Sequence, residues 1–447
     1  METNKQLRDM ENKFQGKLDH NDYNILMFGM MFYRFVSDDN EWNINYEHRF
    51  EEVEKKAATA TLTVEEIISI LETIQKGFLP EYKDVFTDSI STMKELSVRL
   101  KDFDGVVREV VESVASFGNI DAGLVSNFIE RTALSENKGG AETYSPKSIQ
   151  NVLAAIANLY DHKSLMDQAL GTGSTLAAVG SPDNHFYGEE VNARTARFAK
   201  MNMVMQGIHP ENITIEVGDT LQNDKFQSVD ADLVVSVPPF SLRWDSKNAD
   251  EGRFPFGVPS SSRADYAFIQ TMLSHTSDSG YALAVVAHGT LFRSGAEGKI
   301  RQNVVESGHV SAVISLPERL LVGTSIPVAI LVLSKKPSEN VLFIDASREF
   351  DDGRLFNTLN DDQVQKIADT LSDRKTVERY AQLVGIEEIR EQQFNLNVSR
   401  YVDTYEATEA ADLTKLNDLL AQYKKAESEA MERYETAKFN AEQTLAK

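Results

Sequence analysis

A chain of 447 residues, 41% of them hydrophobic, is long enough for two or three domains and apolar enough for a packed core. Its 69 acidic residues against 46 basic ones leave a net charge of −23, which excludes strong unaided binding to nucleic acid and leaves such contact to a partner. No cysteine is present and the eight histidines show no ligand spacing, which excludes disulfides and thiolate sites and predicts no metal.

The charged start METNKQLRDMENK has no apolar signal region, and no window approaches 18 apolar residues. These features predict a cytoplasmic protein without a membrane span, although solubility alone also accounts for the acidity.

In chain order, residues 1–138 read as a helical domain. Asn24 to Val36 is an apolar run longer than a typical strand and predicts a buried helix. Thr61 to Gln75 carries Leu62, Ile67, Ile68, Ile70, Leu71 and Ile74 at helical spacing. Ser135 to Gly140 has the composition of a linker.

From 139 to 405 the pattern changes. Short apolar runs at Leu165, Phe186, Ile213, Leu233, Tyr281, Val310 and Val328 alternate with helical stretches. That alternation predicts an α/β domain with seven strands in a doubly wound, Rossmann-like sheet. The last segment, 406–447, places Leu413, Leu416, Leu420, Tyr423, Ala426, Ala430 and Tyr434 three or four residues apart. It predicts a long amphipathic helix or a helical pair that seeks a partner helix.

Four motifs carry chemistry. Asp167-Gln-Ala-Leu-Gly-Thr-Gly173 follows one strand and precedes a helix, so Gly171 and Gly173 allow a sharp turn and close approach of a ligand. Glu190 lies just past the next strand, 23 residues after Asp167, the usual place for a carboxylate that binds ribose hydroxyls. Asp219, after the third strand, is suited either to accepting from an adenine amino group or to capping a helix. Val237-Pro-Pro-Phe240 is a rigid strand-end loop whose exposed ring would suit stacking on a flipped base.

Taken in order, these motifs resemble the modification (M) subunits of type I restriction–modification systems, which act in phage defence. Further segments strengthen the resemblance: Glu142-Thr-Tyr144-Ser145-Pro146, Lys200-Met-Asn-Met203, Gly218 to Leu221, Ala264 to Phe268, His288 to Arg293, Gly323 to Pro327 and Asn395 to Tyr401. The resemblance implies a DNA adenine-N6 methyltransferase fold using S-adenosylmethionine. It also implies cofactor contacts from Glu142, Tyr144, Ser145, Pro146, Asp167, Gly171, Gly173, Glu190 and Asp219, and a catalytic loop of Val237, Pro238, Pro239 and Phe240. The implied partners are a specificity (S) subunit, a restriction (R) subunit, a second M-type subunit, and double-stranded DNA reached through the complex.

The departures from the family pattern fall in the presumed pockets. Gln168 and Leu170 replace the usual Pro and Cys, Glu189 replaces Gln, and Val237 replaces the catalytic Asn. The family Asn accepts one N–H of the target amine, and valine has no acceptor. Methyl transfer is therefore expected to be impaired or lost, as in a pseudoenzyme. The bulk of Leu170 and the charge of Glu189 predict weak or lost cofactor binding. An active adenine methyltransferase and a DNA-associated scaffold that no longer binds the cofactor stay open as alternatives.

Overall fold

The computed structural model describes residues 2–135, 144–248, 251–321, 324–404 and 413–445. Seven helices open the chain: α1 (Glu2–Phe14), α2 (His20–Asp38), α3 (Phe50–Ala58), α4 (Val64–Lys76), α5 (Thr87–Arg99), α6 (Phe103–Ala115) and α7 (Ala122–Ser135). The start of α2 is fixed by Asp19, whose carboxylate accepts from the Asp22 amide at 2.8 Å. Its apolar run is buried except at Ile25, Arg34 and Phe35, which are half-buried. α4 carries the expected stripe, with Ile67, Ile68, Ile70, Leu71 and Ile74 all inward.

α8 (Lys147–Ala157) leads into the sheet region. There follow β1 (Ser164–Asp167), α9 (Ser174–Val179), β2 (His185–Glu190), α10 (Ala193–Met205), β3 (Ile213–Val217) and β4 (Ala231–Ser236). Then come α11 (Asp265–His275), β5 (Thr276–Ala287), α12 (Ala296–Glu306), β6 (Val310–Ser315) and β7 (Val328–Ser334). The region closes with β8 (Asn340–Asp345), α13 (Asp361–Asp373), β9 (Ala381–Gly385) and α14 (Ile386–Glu391).

All seven strands read from the sequence are present. The sheet order is β3-β2-β1-β4-β5-β7-β6-β8-β9, so two further strands extend it on one edge. β7 runs antiparallel to both β5 and β6, and β1 to β5 are mutually parallel where they pair. The order reverses at β1 and β4, and a crevice at such a switch point is where doubly wound sheets bind ligands.

One apolar cluster fills one face of the sheet and continues without a break into α1–α7. A second cluster fills the other face, under α11, α12 and α14. The helical region is fastened to α10 by several independent contacts. Phe28 stacks on Phe198 with ring centroids 3.8 Å apart. Arg197 holds Asp88 with a two-point contact at 2.8 and 3.0 Å. Residues 1–402 therefore form one compact unit.

The second unit, 403–447, contains α15 (Leu413–Leu445), a single 33-residue helix rather than a pair. Leu419, Leu420, Tyr423, Met431 and Tyr434 on it are each more than half exposed. Among the described residues, no helix is long and apolar enough to cross a membrane, and no group of acidic or histidine side chains could hold a metal ion.

Candidate active site

The ends of β1, β2, β3 and β4 bring the four motifs to one edge of the sheet. Asp167, the last residue of β1, is buried. One carboxylate oxygen accepts from the Ser236 hydroxyl at 2.7 Å and from the Ala169 amide at 2.9 Å. Burial pushes its carboxyl up to about 7, against the opposing pull of the Ser236 bond. Asp167 thus ties the end of β1 to the end of β4 and starts the glycine turn.

That turn has both glycines in the left-handed region, Gly171 at φ 55° and Gly173 at φ 74°. Gly173 is needed for packing as well: a Cβ there would meet Met203 at 3.0 Å and Ala199 at 3.3 Å, both on α10. Glu190 holds the turn from the end of β2. Its two oxygens accept from the amides of Gly171 and Asn192, each at 2.9 Å. Each carboxylate oxygen keeps a second acceptor site, so this role is compatible with receiving a hydroxyl. Asp219 lies exposed after β3, where its side chain closes a turn by accepting from the Leu221 amide at 3.0 Å. No helix begins there, so the capping role read from the sequence gives way to a local turn.

Tyr144 and Thr172 line a common cavity of about 260 Å³ walled by α2, α5, α7 and α10, which sets the segment before α8 beside the glycine turn. The Ser145 carbonyl accepts from Gln150, and Pro146 occupies the cap position of α8. Glu142 lies outside the described residues.

Two of the departures sit otherwise than their chemistry predicts. Leu170 is buried, and a Cβ on Gly188 of β2 would fall 2.7 Å from its Cδ2. The leucine therefore fills the space above a glycine in the core and does not stand in the crevice. Glu189 is also fully buried, and alternation along β2 turns it to the face opposite Glu190. It reaches Gly218, whose added Cβ would lie 2.6 Å from its Oε1, and burial raises its carboxyl to about 7. Both side chains are packed into the fold, whereas the sequence reading set them in the cofactor pocket. Gln168 is buried too: its amide donates to the Phe268 carbonyl at 2.8 Å, while its own carbonyl oxygen has no partner.

The Val237–Phe240 loop leaves β4 at this same edge. Pro238 is buried, whereas Val237, Pro239 and Phe240 are half-buried. Phe240 packs against the main apolar cluster, so the exposed ring expected from sequence is corrected to a half-buried one. Ser236 turns the other way, its hydroxyl committed to Asp167.

Sequence reasoning assigned no role to Ser236, Asp224, His275, Asp265 or Arg293. Asp224 accepts from His275 at 2.9 Å and lies 3.3 Å from Arg253, whose guanidinium also donates to the carbonyls of Thr220 and Leu221 at 2.6 and 3.1 Å. Burial opposes charge on both partners, but the pairing outweighs it. The Asp224 carboxyl lies below its usual range and the His275 imidazole above its own. This buried group fixes the loop that carries Asp219. The quoted segments 264–268 and 288–293 held the only sequence signal for Asp265 and Arg293.

Residues 116–410 match the family model described as N-6 DNA Methylase. The chain belongs to this family. Among curated relatives, a type I restriction enzyme MjaVIII methylase subunit from Methanocaldococcus jannaschii is 33% identical, over 66% of this chain and 55% of its own length. The MpnII methylase subunit of Mycoplasma pneumoniae is 29% identical over 77% of this chain and 69% of its own. The chain thus spans about half the length of the archaeal relative. The crystal structure of a type I restriction-modification methyltransferase subunit from Streptococcus thermophilus superposes with a TM-score of 0.82 at 28% identity, covering 90% of this chain and 99% of that one.

The N-6 methylase fold gives the crevice its natural ligand, and the residues present fit S-adenosylmethionine. Carboxylates follow β2 and β3 on the same side of a left-handed glycine turn that follows β1, and they are acceptors of the kind that ribose hydroxyls and an exocyclic amine require.

Proposed function

We propose that this chain is the modification-type subunit of a type I restriction–modification complex. It holds S-adenosylmethionine and receives a flipped adenine, but transfers the methyl group poorly or not at all. In this reading residues 139–405 carry the chemistry, 1–138 brace it, and 406–447 bind the specificity subunit. DNA is reached through that subunit, in a cytoplasmic assembly that also takes a restriction subunit and a second M-type subunit. The net charge of −23 and the exposed apolar residues of α15 support dependence on partners.

The observation that carries the reading is the start of the strand-end loop. The adenine amine is a weak nucleophile because its lone pair is delocalised into the ring. Two acceptors must take its N–H bonds and turn that pair toward the methyl donor. A backbone carbonyl of the Pro238–Pro239 pair is suited to one. Position 237 would hold the other, and valine has none. The hydroxyl adjacent in sequence, on Ser236, is already bonded to Asp167. An N–H left unpaired in a dry site costs about 1–3 kcal/mol. Losing one preorganised acceptor of this kind lowers a rate by about 10²–10³.

The bound cofactor would supply an electrophilic methyl on a sulfonium. Gly171, Gly173, Glu190 and Asp219, with Tyr144, Ser145 and Pro146 at the neighbouring edge, would hold it, and the family resemblance adds Glu142. Phe240 would stack on the base. The inward packing of Leu170 and Glu189 favours retention of the cofactor over a scaffold that has lost it.

The test is methyl transfer from labelled cofactor to cognate DNA with the specificity subunit present. Little or no transfer is expected from this sequence, and a gain of about 10²-fold from Val237→Asn. Robust adenine-N6 methylation by the unaltered chain would refute the reading.

A further inference from the structure

Ser241, the residue after Phe240, has φ 53°, a left-handed conformation that a serine adopts only when its surroundings impose it. Two side chains from distant segments do so. Asp265, at the start of α11, accepts the Ser241 amide at 3.3 Å. Arg293, in the loop before α12, donates from Nη2 to the Ser241 hydroxyl at 3.3 Å.

Both groups are themselves fixed. Asp265 is buried and its Oδ1 also accepts from the Thr290 hydroxyl at 3.2 Å. The Arg293 guanidinium lies between two acids, 3.7 Å from Asp265 and 3.6 Å from the buried Glu297. It rests on bare backbone: a Cβ on Gly289 would meet its Nη2, Nε and Cζ at 2.5, 2.6 and 2.7 Å. The Arg293 carbonyl is tied in turn to the buried Arg301 at 2.8 Å. The seat, the strained backbone and the two-sided grip are independent features that converge on one residue of the loop.

We propose that Asp265 and Arg293 are positioning residues that set the ring of Phe240 for capture of the target base, acting through the left-handed turn at Ser241. This rests on the reading that Phe240 stacks on a flipped adenine. Neither residue is assigned a bond to substrate. Their effect is on the orientation of the loop tip, so they should act on base capture and not on docking to DNA.

Two variants and two readouts test this. Arg293→Met removes the grip. Gly289→Ala pushes the guanidinium aside and leaves every charge in place, so it guards against simple misfolding of the first. Hydrogen exchange across residues 238–245 of the chain alone should quicken about tenfold in both, with exchange elsewhere unchanged.

In the complex with the specificity subunit, a duplex carrying 2-aminopurine at the target position reports flipping by its fluorescence. The gain should fall about fivefold or more in both variants, while DNA affinity stays within about threefold. Unchanged exchange would overturn the proposal. Faster exchange with undiminished fluorescence would reduce the two residues to a structural role and overturn it equally. No fluorescence gain in the unaltered complex would sink the base-capture reading itself, and the positioning role with it, whereas the exchange measurement would still report the grip.

Discussion

Replacing Asp167 by asparagine should make the protein more stable at and above neutral pH. The carboxyl is buried and its pKa rises from 3.8 to about 7. An acid raised in this way contributes stability that is full below its unfolded value and is lost as pH climbs through the folded one. The rise is worth about 4 kcal/mol in all, at about 1.4 kcal/mol per pH unit, and about 2–3 kcal/mol of it falls between pH 5 and 8. Asparagine keeps an acceptor for the Ser236 hydroxyl and the Ala169 amide and carries no charge. Denaturant unfolding at half-unit steps from pH 5 to 8 should therefore give curves for parent and Asp167→Asn that diverge as pH rises, with the variant ahead at pH 8. Parallel curves would refute the reasoning and mean that the carboxylate is compensated in the fold.

Leu170→Cys should destabilise the chain by about 1–3 kcal/mol in the same assay, because it empties the space over Gly188. Calorimetric titration with S-adenosylmethionine should give a dissociation constant of about 1–100 µM, and the absence of heat would favour the scaffold alternative. Removal of residues 413–447 should leave the unfolding of 1–402 unchanged, since that unit has its own core, and should abolish co-purification with the specificity subunit. Glu189→Gln should flatten the stability–pH profile in the same direction as Asp167→Asn, since burial raises that carboxyl to about 7 as well.

Much of the fold was legible because its signals are local. The seven predicted strands are short apolar runs bounded by helical stretches, and α2 and α4 announce themselves by length and period. β8 and β9 were not read. β8 offers an apolar run, but its partner is β6 and not β7, the strand before it in the chain, and β9 spans only five residues of mixed character.

The merging of α1–α7 with the sheet into one core depends on contacts such as Phe28 on Phe198, which no local pattern encodes. The glycine turn, Glu190 and the proline loop were legible as motifs. The bond from Ser236 to Asp167 was not, because it requires that β1 and β4 be neighbours. The inward turn of Leu170 and Glu189 was missed for a related reason. A substitution inside a motif reads as a change to the ligand until the backbone shows which way the side chain points. Nor does a serine advertise a left-handed backbone, so Ser241 and its two holders stayed hidden.

The fit of Leu170 over Gly188 ties two positions of this site to each other through packing. A descendant that regained cysteine at 170 would first carry a hollow under its own glycine turn, before gaining any chemistry from the change. One that enlarged Gly188 first would collide with the leucine. Each of these single steps is expected to cost stability, so the residues at 170 and 188 are coupled through packing.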